Sequence, residues 1–390
     1  MIEFNEAYKI VLDAVRVLGT ETASLNDSRG RVLAKDIVSD MPMPPFDKAA
    51  MDGYACRKED LAGELKVIGV IKAGIDPRKV IGKGECAKVM TGGVVPKGAD
   101  TVIMVEHSKE LADGRIKFTE EKTNTNICYL GEDIQEGQTV LLKGTLIRPQ
   151  EIAILASVGC VDVPVFVKPL VGVISTGDEL VEPQIKPNPS QIRNSNASQL
   201  MAQIGQTGAA PKYFGIARDN EASTREIITK ALAGCDVVLL TGGVSMGDFD
   251  FVPKVLNDLG IKIQFKNIAV QPGRPTVFGL KEGKYLFGLP GNPVSSFVQF
   301  ELLVKPMLYA LMGHHYKSSL LKLPMGETFT RRKTRRKSFI PVVIRSGKVY
   351  PVEYHGSAHI HSYIFADGMV AVEKGKSTLE IGEMVDVRPV

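Results

Sequence analysis

The sequence predicts a multidomain protein of α/β plus β class. A central doubly wound, mostly parallel α/β domain lies between a β-rich N-terminal domain and a small C-terminal β barrel. Residues 169–315 alternate apolar strands with amphipathic helices, the pattern of a sheet wound by right-handed crossovers. Residues 41–140 and 320–390 instead carry short β-rich runs broken by Gly, Pro and Asp turns. The chain has 390 residues, enough for several domains at roughly 150 residues each.

Residues 1–40 and 141–168 read as a helical, linking N-terminal domain. Tyr8, Val11, Leu12, Val15 and Leu18 recur at helical spacing, Asn5 can cap the start and Gly19 can stop the end, which predicts a helix over residues 6–18. A short helical or extended stretch comes next, around Arg29 to Val38. In the β-rich part, Leu65–Val70, Cys86–Met90, Thr101–Val105 and Arg115–Phe118 read as strands, and Glu151–Ser157 returns to helix. Then come strand Leu170–Ser175, helix Ala197–Ile204, strand Tyr213–Ala217, helix Ser223–Leu232, strand Asp236–Leu240 and helix Phe251–Leu259. Strands Ile263–Ala269 and Lys284–Leu289 and helix Val294–Leu311 complete the alternation. Phe339–Ile344, Lys348–Val352, Gly368–Val372 and Glu383–Val387 read as the strands of the last domain.

Composition sets limits on function. Lys and Arg total 48 against 44 Asp and Glu, a net +4, so a nucleic-acid partner is not expected. No run approaches the ~18 uninterrupted apolar residues of a membrane span, and the first residues carry acids without a basic leader, so neither a membrane anchor nor a secretory signal is expected. Five scattered cysteines without a CxxC pair point to a reducing cytoplasm and away from structural zinc.

In an open parallel sheet, ligands bind beyond the carboxyl ends of the strands. Four such ends carry unusual loops here: Ser175–Glu179, Ala217–Asp219, Thr241–Asp250 and Leu289–Ser296. In the last, Asn292 suits the N-cap and Pro293 the first helical position, and free amides at a helix start favour an anion. Gly242 and Gly243 offer backbone amides without side-chain obstruction, an anion nest. Glu179, Asp219, Asp248 and Asp250 converge on the same edge. Carboxylates beside an anion site make sense with Mg²⁺ between them, since Mg²⁺ accepts one or two carboxylates and keeps water and phosphate oxygens. No Walker loop, dinucleotide fingerprint or catalytic triad stands out. His355, His359 and His361 read as polar surface or pocket lining rather than metal ligands, and the basic run Arg331–Lys337 as a solvated charged loop, with contact to an anion the alternative.

The ordered set Pro44–Asp47, Ala50–Ala55, Met90–Gly93, Pro96–Asp100, Ser175–Leu180, Thr241–Asp250, Pro272–Pro275 and Leu289–Ser295 resembles the MoeA-type molybdopterin molybdenumtransferases, of which the C-terminal domain of gephyrin is a eukaryotic relative. The resemblance runs over essentially the whole chain. It implies insertion of molybdate into adenylylated molybdopterin with Mg²⁺-dependent release of AMP. It also implies an elongated cytoplasmic homodimer and the molybdopterin adenylyltransferase as a partner, with neither nucleic acid nor membrane involved. Carried over by position, Asp52 and Thr91 come from one subunit and Glu179, Asp219 and Asp250 from the other, with Glu179 and Asp250 as metal ligands. Gly242, Gly243, Ser245, Arg274, Pro290, Gly291, Asn292, Pro293 and Ser295 bind the molybdopterin nucleotide. Asp133, Arg336 and Ser357 match further family positions. The chain departs from the family's usual residues at Ala49, at Cys128–Tyr129 and at Gln271 and Arg274, which makes the anion site less basic. Two rivals stay open: a molybdopterin adenylyltransferase using the same α/β domain type, and a gephyrin-like scaffold without catalysis.

Overall fold

The computed structural model describes residues 1–243, 252–354 and 356–390. The chain forms two compact units. One comprises Met1–Ala34, Gly144–Arg148 and Asp162–Val390; the other comprises Lys35–Lys143 and Pro149–Val161.

The first unit opens with helix α1 (Phe4–Asp13), which buries Ala7 and Val11. It is shorter than the apolar spacing predicts because the backbone beyond it is engaged elsewhere. The Arg16 N–H donates to the Tyr285 hydroxyl at 2.8 Å and the Leu18 N–H to the Leu311 carbonyl at 2.8 Å. Thr20–Ser24 then pairs antiparallel with Asp162–Phe166. In the stretch from Arg29 to Val38, fully buried Val32 and Leu33 make single bridges to Leu146 and Val165, and only Ile37–Val38, in the other unit, is a strand.

The second unit is built on strands β1 (Gly53–Cys56), β2 (Glu64–Ile71), β3 (Glu85–Val89), β4 (Thr101–Met104), β5 (Ser108–Glu110) and β6 (Arg115–Phe118), in the order β4-β1-β3-β2-β6-β5. Side chains alternate across this sheet. Tyr54, Cys56, Cys86 and Ile103 pack on one face, and Ala55, Ala87, Val89 and Val102 on the other. Burial pushes the Cys56 and Cys86 thiols up to about 12, so they are inert core residues. Cys56, Cys86, Cys128 and Cys235 are free thiols. Helix α2 (Pro149–Ser157) buries Glu151 and Leu155.

The rest of the first unit holds the wound sheet. Its strands are β7 (Leu170–Thr176), β8 (Ala210–Ala217), β9 (Val237–Thr241), β10 (Lys262–Phe265), β11 (Val277–Lys281) and β12 (Lys284–Leu289), in the order β8-β7-β9-β12-β11-β10. Strands β8, β7, β9 and β12 are parallel, and β11 runs antiparallel between β12 and β10. Helices α3 (Ser195–Gln206), α4 (Glu221–Gly234), α5 (Val252–Asp258), α6 (Pro293–Gln299) and α7 (Lys305–Leu311) cover both faces. Val173, Leu239 and Phe287 pack in one core with residues of α3, α6 and α7, and Ile174, Leu240 and Leu286 in another with residues of α4 and α5.

Two expectations change here. The strand expected over Ile263–Ala269 ends at Phe265, because Ile2 captures the next residues. The Ile2 N–H donates to the Asn267 carbonyl at 3.1 Å, and the Ala269 N–H donates to the Ile2 carbonyl at 2.7 Å. The helix expected over Val294–Leu311 contains a π-helical segment at Phe300–Val304. There buried Glu301 accepts bonds from Gln203 at 2.8 Å and Lys305 at 2.7 Å. Residues Pro293–Leu311 are long and apolar enough to cross a membrane, yet 83% of that window lies buried, as in a core helix.

The C-terminal strands are β13 (Leu321–Pro324), β14 (Lys337–Arg345), β15 (Lys348–Pro351), β16 (Gly368–Val372) and β17 (Met384–Pro389). They run in the order β14-β16-β17-β13, with β15 on β14 and Val270–Gln271 along the other end of β14. A single bridge from Met325 to Val349 links the two ends of the series.

Candidate active site

From β7 the chain crosses one way, through α3, to β8, and then the other way, through α4, to β9. The direction of winding therefore reverses between β7 and β9, the place where an open α/β sheet opens a crevice. A cavity of about 690 Å³ lies there, within the size range of ligand pockets. Thr176, Gly177 and Glu179 reach it from the end of β7, and Asp219 from the end of β8. Thr241, Gly242 and Gly243 come from the end of β9, and Pro290, Gly291, Asn292 and Pro293 from the end of β12. Arg193, Asn194, Ser195 and Asn196, at the start of α3, line it too.

The glycine turn is left-handed. Gly242 and Gly243 take φ of 95° and 62°, in the left-handed region that favours glycine. The Gly242 N–H makes the last rung to β12, donating to the Leu289 carbonyl at 3.1 Å. Pro293 occupies the first turn of α6 as expected, but Asn292 does not cap it. Its side-chain amide instead donates to the Ser357 hydroxyl at 2.9 Å, while the Val294 N–H donates to the Ser357 carbonyl at 3.1 Å. Ser357 thus stands at this helix start as a neighbour of Asn292.

Two acids share the cavity. Glu179 is exposed and Asp219 half-buried. Asp219 is held by a reciprocal pair: the Asp178 N–H donates to its carboxylate at 3.2 Å, and its own N–H donates to the Asp178 carboxylate at 3.3 Å. Among the described residues no set of three His, Cys, Asp or Glu side chains comes together. Two carboxylates in one cavity still fit Mg²⁺, which takes one or two carboxylates and fills its remaining positions with water and phosphate oxygens.

The start of α3 is fixed from within the fold. Buried Asn194 caps the helix, its Oδ1 accepting from the Ala197 N–H at 3.3 Å and from the Ser175 hydroxyl at 2.9 Å. Its amide donates to the Tyr213 hydroxyl at 2.8 Å, which donates to Glu182 at 2.8 Å. Burial, then the Glu182 bond, raises the Tyr213 phenol, so it stays a neutral donor. Asn194 and Asn196 escaped the sequence reading. The Asn-Ser-Asn run before an apolar helical repeat was the available signal, since Asn favours N-caps.

Other expected residues lie elsewhere. Ser295 is buried in the first turn of α6 and does not line the cavity, because its helix turns that face to the core. Arg274 is exposed outside the cavity; its carbonyl accepts from Ile268 at 3.0 Å and Thr276 at 2.9 Å, and Pro275 lines the wall in its place. Arg336 donates to the Val270 carbonyl at 3.2 Å, and burial, then the positive charge of Arg274, lowers its pKa. Ser245, Asp248 and Asp250 lie outside the described residues, as does His355. His359 and His361 line a different cavity, of about 550 Å³, beside Glu327 and Arg345.

Asp52 and Thr91 belong to the other compact unit. The Asp52 Oδ1 accepts from the Thr91 N–H at 2.6 Å and the Thr91 hydroxyl at 2.7 Å. The backbone bond first, then the hydroxyl, hold this carboxyl below its ordinary value, so it stays ionised into more acidic solution than a free aspartate. Its interaction with Thr91 is lost only as pH falls through that lowered value. Thr91→Val removes the hydroxyl bond and keeps the backbone bond. The Asp52 carboxyl is then expected to titrate part of the way back up in a carbon-detected NMR titration; an unmoved midpoint would show that the hydroxyl contributes nothing.

Comparison with known proteins gives this geometry its family. Residues 2–159 match the family described as MoeA N-terminal region (domain I and II), residues 172–310 a probable molybdopterin binding domain, and residues 322–390 the MoeA C-terminal region (domain IV). The chain is 35% identical to a molybdopterin molybdenumtransferase of Staphylococcus epidermidis, over 99% of this chain and 95% of the relative. It is 34% identical to one of Bacillus subtilis, over 99% and 93%. The crystal structure of a molybdopterin biosynthesis MoeA protein from Pyrococcus horikoshii OT3 superposes with a TM-score of 0.85 at 32% identity, covering both chains completely. The chain belongs to the MoeA family of molybdopterin molybdenumtransferases, enzymes that insert molybdenum in molybdenum cofactor biosynthesis.

Proposed function

We propose that the enzyme inserts molybdate into adenylylated molybdopterin with Mg²⁺-dependent release of AMP, and that the cavity at the ends of β7, β8, β9 and β12 is where this happens. The observation that carries the reading is that Glu179 and Asp219 line the same cavity as the Thr241–Gly243 turn and the Pro290–Pro293 segment. Both substrates are anions. The Gly242-Gly243 turn and the Pro290–Pro293 segment in the cavity wall hold their oxygens. An oxygen of molybdate or water attacks the phosphorus on the molybdopterin side of the anhydride, the P–O bond to AMP breaks, and AMP leaves while molybdopterin keeps its phosphate; as the two dithiolene sulfurs bond to molybdenum, one oxo group of molybdate leaves as water with the two thiol protons. Glu179 and Asp219 would hold Mg²⁺, which when bound would polarise the anhydride and stabilise the leaving phosphate. The described cavity lining offers no activated nucleophile, so direct transfer is favoured over a covalent enzyme intermediate.

The same reading makes the enzyme a cytoplasmic C₂ homodimer whose clefts draw Asp52 and Thr91 from one subunit, and it makes the molybdopterin adenylyltransferase its donor. A four-part layout, with residues 320–390 as a closed β barrel, belongs to it as well. AMP release is expected to stop when EDTA removes Mg²⁺ and to return when Mg²⁺ is restored. Release that persists at the full rate after chelation would remove the metal from the mechanism.

A further inference from the structure

We infer that Asn196 is a positioning residue for molybdenum insertion, setting the spacing between the two loops that hold the substrate's anionic groups. Its Nδ2 donates to the Thr241 Oγ1 at 2.8 Å and to the Gly291 carbonyl at 2.8 Å. A carbonyl only accepts, so the amide nitrogen must face Gly291, and the partners fix the orientation of the side chain. The Thr241 hydroxyl accepts from Asn196 and donates to the Pro290 carbonyl at 3.3 Å. One side chain therefore joins the start of α3, the end of β9 and the loop before α6.

Among the described residues the loops have few other ties to each other. The ladder between β9 and β12 ends at Thr241 opposite Leu289, with the Gly242 N–H bond to Leu289 as its last rung. Beyond it run Gly242-Gly243 on one side and Pro290-Gly291 on the other, glycines without side chains to interlock and a proline without an N–H. A Cβ built on Gly291 would stand 3.5 Å from the Gly242 Cα, so the two backbones lie close without interlocking. Asn196 can hold them because its own helix start is anchored through buried Asn194 to Ser175 and Tyr213. With the tie removed, each loop can still bind an anion, but the two ends of the reacting group lose their common register. A misplacement of about 1 Å can lower turnover by about 100-fold. Such a loss falls on kcat more than on KM.

The inference rests on the proposed cavity as the reaction site, and the experiment separates the two. In the full-length enzyme, kcat and KM for molybdenum cofactor formation from adenylylated molybdopterin and molybdate are measured for Asn196→Ala, Asn196→Asp, Thr241→Val and the Asn196→Ala/Thr241→Val double variant. Thermal midpoints are measured alongside, and Gly242→Ala serves as the cavity control. Asn196→Ala is expected to lower kcat about 10- to 100-fold, with KM held within about threefold. Asn196→Asp should match it, since a carboxylate lacks both donors. Thr241→Val, which keeps the branched volume, should lose less. The double variant should lose less than the two single losses combined, because either change alone already removes the bond between the amide and the hydroxyl. Wild-type kcat in Asn196→Ala, or losses in the two single variants that simply add, would overturn the inference. So would a fall in kcat that only tracks the folded fraction. Should Asn196→Ala fail to fold, wild-type kcat in Thr241→Val overturns it and a kcat loss at constant KM supports it. If Gly242→Ala keeps full activity, the cavity reading itself fails.

Discussion

Asp52→Ala and Glu179→Ala homodimers are each expected to be inactive, and a purified heterodimer of the two is expected to recover one working cleft of the two. The acids stand in different compact units, more than a hundred residues apart in sequence. Asp52 is kept ionised by Thr91, and Glu179 lines the cavity beside the glycine turn. On the proposed reading of a C₂ dimer the contact is reciprocal, so each cleft would pair Asp52 of one subunit with the partner subunit's Glu179. A heterodimer then gathers both lesions in one cleft and leaves the other intact. Two affinity tags on the two chains allow its isolation, and cofactor formation per dimer should approach half that of the wild type. Heterodimers as inactive as either parent would mean that both residues act within one subunit.

Gly242→Ala is expected to abolish most activity while leaving a folded protein of lower stability. The residue sits at φ 95°, and a left-handed conformation costs a residue with a Cβ roughly 1–2 kcal/mol. The added Cβ would lie 2.5 Å from the Thr176 carbonyl oxygen and 2.7 Å from its hydroxyl, so the turn must move. On the proposed reading, movement takes this turn away from the substrate oxygens. Loss of an oriented donor of this kind costs about 10²–10³-fold in turnover. Gly291→Ala is the control, because its Cβ meets only the Gly242 Cα at 3.5 Å, an ordinary contact. It should fold with nearly unchanged thermal stability. Full kcat in Gly242→Ala would show that this turn does not hold the reacting anion.

The sheet was legible in the sequence because its strands are buried on both faces and read as continuous apolar runs, Leu170–Thr176 and Val237–Thr241 above all. The loops at their ends were legible for the same reason: once the strands are placed, the ends are known. Partner choice across long sequence distances was not. Asn292 has every local mark of an N-cap, yet Ser357, 65 residues later, takes its side chain. The run Ile263–Ala269 has the apolar content of a strand, yet Ile2 pulls its second half out of the sheet. Strand β11 was missed because it is an antiparallel strand inserted after a Pro-Gly-Arg-Pro turn, where winding predicted none. The Asn-Ser-Asn run marks a helix start but not what Asn196 does there, since its partners Thr241 and Gly291 lie 45 and 95 residues away.

Coupling of metal insertion to cleavage of the nucleotide is tested most directly by measuring AMP. The enzyme is incubated with adenylylated molybdopterin and Mg²⁺, with and without molybdate, and AMP is quantified over time. Molybdate should trigger AMP release, with molybdenum cofactor appearing in step with it. AMP released at the same rate without the oxyanion would contradict that coupling.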